Sequence, residues 1–170
     1  MKACILAPGP SMSQAVADSG RGADVVIAVG NVGLDLAPWA DALVAQDRQW
    51  WNQFPQAHQF SGRKFSTRKI DGVEQIECEG LLSSQSNSGA IALIVAQQIF
   101  EADEIELHGF DMQGSHYFGK YQEPLRNTAV TRFAEFQHQF AAIGQHLSKR
   151  GVRVVNKTPG SALACFEMAA

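Results

Sequence analysis

The residues able to do chemistry gather in one stretch. From His108 to Thr128 the chain reads HGFDMQGSHYFGKYQEPLRNT, with Asp111, His116, Tyr117, Lys120, Tyr121 and Arg126 close together. Histidine titrates near neutrality, so His116 in a polar loop has the chemistry of a general base. Its alternative is an ordinary loop histidine bound to a backbone carbonyl. Tyr117 and Tyr121 can donate hydrogen bonds to a departing phosphate, or pack the loop down with their rings. Asp111 follows an apolar run directly, where a carboxylate commonly meets a ligand hydroxyl or a metal, or caps the loop that it opens.

A second group of polar residues lies where strands should end. Gly9, Pro10 and Ser11 follow the first apolar run, Gly30 and Asn31 the second, and Gln46 and Asp47 the third. Asn87, Ser88 and Gly89 open an apolar helix, and Thr158 to Ser161 closes the last strand. Small polar side chains and open N–H groups at helix starts suit phosphate and ribose oxygens. Each of these turns is equally a place where the same residues cap helices. Taken together, Gly9, Pro10, Ser11, Asn31, Asn87, Ser88, Gly89 and Ser161 form a candidate nucleotide-binding set. No Walker motif, no GxGxxG after the first strand, no HExxH, no CxxC and no GxSxG occurs.

The elements that would position these groups alternate. Lys2–Ala7, Asp24–Val29 and Ala42–Ala45 are short apolar runs of the kind that form buried parallel strands, and Glu104–His108 and Val152–Val155 read as further strands. Helices are expected over Ser13–Ser19, Arg48–Phe54, Ser88–Phe100 and Thr128–Arg150, with a short one from Ser161 through Phe166. Ser86, Asn87 or Ser88 can cap the third of these. In the fourth, Phe133, Phe136, Phe140, Ile143 and Leu147 form one apolar stripe. Gln59–Glu79 reads as one or two short strands, antiparallel at an edge. Trp50 and Trp51 suit a stacking platform, the core or an oligomer contact. The alternation of strands and helices predicts a single α/β domain over residues 1–170 with a mainly parallel sheet.

With 170 residues the chain can bury a real core. A formal net charge of −3 and the absence of a basic face argue against nucleic acid as partner. No apolar run approaches the about 20 residues of a membrane span, so no membrane partner is expected. Cys4, Cys78 and Cys165 match no zinc or redox spacing and read as small buried residues in a reducing compartment. The N-terminal apolar run is too short for a signal peptide. The expected location is the cytoplasm, and a homo-oligomer is left open.

LAPGPSM, SNSGAIALIVAQQIFEADEIELHGFDM and GVRVVNKTPGSALACFE together resemble the bacterial sialyltransferases of glycosyltransferase family 42. They also resemble related domains similar to an archaeal hydroxymethylpterin diphosphokinase. With GSHYFGKYQEPLRN between them, the set is most similar to small proteins of phage and prophage genomes, which would place the chain in the host cytoplasm. The resemblance implies a Rossmann-like three-layer sandwich and a nucleotide ligand of the CMP type, bound as substrate with no separate cofactor or metal. It implies that Gly9, Pro10 and Ser11 approach the nucleotide phosphate, that Asn31 contacts the nucleotide, and that Ser88 and Gly89 open the central helix. Tyr117 falls on a tyrosine that bonds the leaving phosphate in one alignment. In the other, the base histidine falls on Lys120, a turn after His116. Gln85 stands where the family has an arginine. Three functions follow as expectations. The first is a CMP-sugar-dependent glycosyl transfer with His116 as base. The second is an Mg²⁺-dependent phosphotransferase using Asp47 and Asp111. The third is a non-enzymatic phage accessory protein that keeps the fold.

Overall fold

The computed structural model describes residues 1–78, 80 and 87–169. The position of Gln85 and the alternative helix cap at Ser86 lie outside the described residues. Eight strands, β1 (Lys2–Leu6), β2 (Val25–Val29), β3 (Ala42–Val44), β4 (Arg63–Ser66), β5 (Glu74–Gln75), β6 (Glu104–His108), β7 (Arg153–Asn156) and β8 (Glu167–Met168), form one sheet. Their order is β5-β4-β3-β2-β1-β6-β7-β8, and every neighbouring pair is parallel. The chain runs outward from β1 to β5, then crosses back to place β6 on the other side of β1. That reversal is the topological switch point of a Rossmann-like α/β sandwich.

The pleat sorts the side chains between two cores. Ala3, Ile5, Val25, Ile27, Ala42, Val44, Ile105 and Leu107 face α4 (Ser88–Gln98) and α5 (Arg132–Lys149). Cys4, Leu6, Val26, Ala28 and Leu43 face α1 (Gln14–Ser19), α2 (Val32–Asp35) and α3 (Arg48–Gln53). The central strands must be apolar on both faces, which is why they read as unbroken runs. Helix α4 is buried from Gly89 to Ala96 on all sides, wedged between the sheet and α5. A helix apolar around its whole circumference has no other stable place.

Strand β6 breaks the symmetry. Ile105 and Leu107 enter the first core, while Glu104, Glu106 and His108 alternate on the opposite face and are only part-buried. There Lys2 and Lys157 pair with Glu106 at 2.8 and 3.6 Å, and Arg153 pairs with Glu104 and Glu167. A right-handed crossover from β6 to β7 carries α5 to the face that α4 already occupies. The third layer therefore covers β1 to β3, and ion pairs cover the same face of β6 and β7.

Three expectations are corrected. In the segment expected to be antiparallel, β4 and β5 are parallel: Phe65 and Ser66 register with Glu74 and Gln75. Strand β5 has only two residues, so a short loop suffices to bring it back beside β4. The C-terminal segment 161–166 is not a helix. Leu163 and Phe166 are buried, and Phe166 lies edge-on to Phe140 at 6.3 Å, so two core anchors fix the chain in an extended turn that leads into β8. The cysteines are not all buried. Cys4 is, but Cys78 is half-buried and Cys165 exposed, because Cys165 lies between the two anchors and points away from them. Of the readings open for Trp50 and Trp51, core burial is the one that holds, at 4% and 1% exposure, so they offer no exposed apolar face to an oligomer.

Because α4 is packed on every side, truncating it leaves a cavity that the neighbours cannot close. Leu93→Ala is expected to lower the unfolding free energy by about 2–5 kcal/mol. Denaturant unfolding should show the loss as a lower midpoint with an unchanged slope.

Candidate functional site

A cleft of about 1070 Å³ lies over the carboxyl ends of β1, β2, β3 and β6. Its floor is made by Pro8, Gly9, Gly30 and Trp50, and one wall by the start of α4 at Asn87, Ser88 and Gly89. The loop that follows β6 arches over it and contributes Asp111, His116, Lys120, Tyr121 and Arg126. The volume stands at the top of the range of about 300–1,000 Å³ usual for small-molecule sites.

The turn after β1 is closed to ligands by its own bonds. The β1–β6 ladder continues past the strands, with Ala7 N donating to His108 O at 2.9 Å and Gly9 N to Gly109 O at 3.0 Å. The Ser11 backbone N–H and hydroxyl both donate to Asp111 Oδ2, at 3.3 and 2.8 Å, and Met12 N returns to Gly9 O at 3.0 Å. Pro10 has no N–H to offer. Gly9 is glycine because a Cβ there would stand 2.1 Å from Asp111 Oδ2 and 2.3 Å from Gly109 O. The Gly-Pro-Ser turn is thus a clasp between two strands, and Asp111 is its latch.

The start of α4 is open instead. Asn87 Oδ1 accepts from Ala90 N at 2.9 Å, and Ser88 Oγ accepts from Gln46 N at 3.0 Å, pinning the end of β3. Gly89 admits the Phe110 ring, whose Cε1 would lie 2.9 Å from an added Cβ. The backbone N–H groups of Ser88 and Gly89 have no partner among the described residues. These are the N–H groups that a helix cannot satisfy by itself, and they carry the positive end of its dipole.

The aromatic loop is organised around Asn31. Asn31 Oδ1 accepts from Trp50 Nε1 at 2.8 Å and from the Tyr121 hydroxyl at 3.1 Å. Tyr117 lies outside the cleft lining, and its hydroxyl donates to Asp35 Oδ2 at 2.7 Å. Burial pushes both phenols well above the usual tyrosine range, with Asp35 adding to the effect at Tyr117. The His116 ring stacks on Phe118 with centroids 4.8 Å apart and meets Tyr121 edge-on at 4.8 Å. Burial lowers the His116 pKa, so the ring is neutral at pH 7, and its Nδ1 has no hydrogen-bond partner. That nitrogen is itself buried; of the three aromatic candidates, His116 and Tyr121 line the cleft, and the Tyr121 hydroxyl is engaged by Asn31.

Ser161 stands apart from the cleft. Its Oγ donates to Phe110 O and accepts from Asn156 Nδ2 and Leu163 N, both at 3.0 Å. Pro10, Ser11 and Asn31 support the lining rather than form it. The structure brings together Gly9, Asn87, Ser88, Gly89, Asp111, His116 and Tyr121. Sequence reasoning missed Arg48 and the apolar wall of Met112, Val130, Phe133 and Phe136. Arg48 directly follows the Gln46-Asp47 strand end, and that position was its only signal. Among the described residues no group of three His, Cys, Asp or Glu side chains could hold a metal ion. Burial raises the Cys4 thiol to about 12, so it is no nucleophile. No helix of the described residues is long and apolar enough to cross a membrane.

The fold and the cleft define a Rossmann-like α/β domain with an open site at its switch point. No family model, curated protein or solved structure matches this chain, so the functional reading rests on the site itself.

Two outcomes test this geometry. Asp111→Ala removes the latch and leaves the Ser11 hydroxyl unpaired, which is expected to cost about 1–3 kcal/mol by denaturant unfolding. The second concerns pH. A histidine whose folded pKa is depressed favours folding when neutral, so its contribution is present above its ordinary 6.5 and is lost as pH falls below it. His116→Gln should therefore flatten the fall in unfolding midpoint between pH 6.5 and 5. His108, also lowered by burial, keeps part of the slope in that variant.

Proposed function

We propose that this protein binds a nucleotide or nucleotide-sugar in the cleft, with the phosphate at the start of α4. One observation carries the reading: the two open N–H groups of Ser88 and Gly89 share the cleft with Arg48, Lys120 and Arg126. Lys120 and Arg126 have no carboxylate partner among the described residues. A chain of net charge −3 thus lines one cleft with three cations and a helix N-terminus, groups that attract a phosphate or another anion. The resemblance to family 42 sialyltransferases makes CMP the first nucleotide to test.

In this reading His116 is the base of a glycosyl transfer. It would take the proton of an acceptor hydroxyl as that oxygen attacks the sugar and the sugar–phosphate bond breaks. Charge growing on the departing phosphate would be met by the α4 N–H groups and the cations, with no step that requires a metal. Tyr121 and Tyr117 act through position: their hydroxyl protons are engaged by Asn31 and Asp35, so they hold the loop that carries His116 and Lys120.

Calorimetric titration with CMP, in the absence of metal, tests the binding step. Saturable binding is expected, weakened about tenfold in Lys120→Ala and in Arg126→Ala, which corresponds to about 1.4 kcal/mol each. His116→Ala should keep the affinity and abolish turnover of a CMP-sugar. Binding unaffected by either cation variant would remove the α4 seat from the reading. Turnover retained in His116→Ala would remove the base.

A further inference from the structure

The apolar stripe of α5 is longer than the core it serves. Phe140, Ile143 and Leu147 are fully buried. Phe136 and Phe133, one and two turns earlier on the same stripe, are only part-buried and line the cleft. Val130 continues the line before the helix begins and is 83% exposed, and Met112 faces the same space. A stripe that runs past its core and ends on a large exposed apolar residue marks a binding surface. It is continuous with the cleft whose other wall carries the α4 N–H groups and the cations. The ligand that fits both walls has an anionic end and an apolar end.

Polar readout is sparse next to this wall. Gln113, beside Met112 in the chain, donates its Nε2 to Gly160 O at 2.9 Å. Asn127, three residues before Val130, has both ends of its carboxamide bonded to the Tyr121 backbone, at 2.7 and 3.0 Å. Next to this wall, one end of the Gln113 carboxamide and both ends of the Asn127 carboxamide are therefore already engaged.

We infer that this wall seats the base of the bound nucleotide by apolar contact and does not select among bases. The inference rests on the nucleotide reading above. It differs from what a cytidine-specific site requires, since base–aromatic contact tolerates any base. The cations and the α4 N–H groups then supply the anchoring, and the wall supplies affinity for whatever flat group the phosphate carries.

The test is calorimetric titration of the full chain with ribose 5-phosphate, CMP, UMP, AMP and GMP. The four nucleotides are expected within about threefold of one another, and each about tenfold tighter than ribose 5-phosphate. Phe133→Ala should weaken the nucleotides about tenfold and leave ribose 5-phosphate unchanged. Val130→Ser, at a site with no folding burden, should act in the same direction by a smaller factor and carries the test if the Phe133 variant misfolds. One base preferred by more than about thirtyfold overturns the inference, because only paired edge contacts discriminate so strongly. So does ribose 5-phosphate weakened in step with the nucleotides in both variants, or nucleotide affinity unchanged in both. In those cases the nucleotide reading stands. Failure of all five ligands to bind overturns that reading and the inference with it.

Discussion

The junction of β1 and β6 is the constraint on which the rest of the structure depends. Two strands about a hundred residues apart in sequence lie side by side, and their ladder continues into the turns beyond them. The backbones approach so closely that only glycine is tolerated at Gly9, and the Asp111 carboxylate fastens the Ser11 turn from across the gap. With that junction closed, the chain leaving β6 is directed over the carboxyl edge of the sheet. The loop carrying His116, Lys120, Tyr121 and Arg126 then has to arch across β2 and β3. Tyr121 reaches Asn31 and Tyr117 reaches Asp35 as a result.

Closing one place opens another. In open α/β sheets the switch point is the expected seat of a ligand, yet here the donors of the first turn are used between the strands. The unsatisfied donors sit one element away, at the start of α4, where Ser88 spends its hydroxyl on Gln46 and keeps its N–H. The cations come to the same cleft from two elements: Arg48 from α3, and Lys120 and Arg126 from the arching loop. The site's electrostatics belong to the fold and could not be assembled by any one segment.

Legibility in the sequence followed burial. Strands β1 and β2 and helix α4 were plain because continuous apolar runs and a circumferentially apolar helix have few other uses. The edge pair β4 and β5 was not, because two to four residues carry too little pattern and their direction is set by β3. Ser161 looked like a helix cap. Its hydroxyl instead joins Phe110, Asn156 and Leu163, partners that no local rule reveals. The stripe of α5 was correctly read as apolar, but which of its residues were core depended on where α4 and the sheet ended.

By itself the sequence determined the alternation of elements, the parallel sheet and the chemical inventory of the loop after β6, because periodicity and local turn chemistry act within about a dozen residues. Only the tertiary structure decided which of those groups keep free capacity. Gly9, Ser11 and Asp111 satisfy one another, Tyr117 and Tyr121 are engaged by Asp35 and Asn31, and Lys120, Arg126 and the α4 N–H groups keep theirs. Hydrogen-bonding capacity is consumed by partners distant in sequence, and that balance can be struck only once the chain has folded.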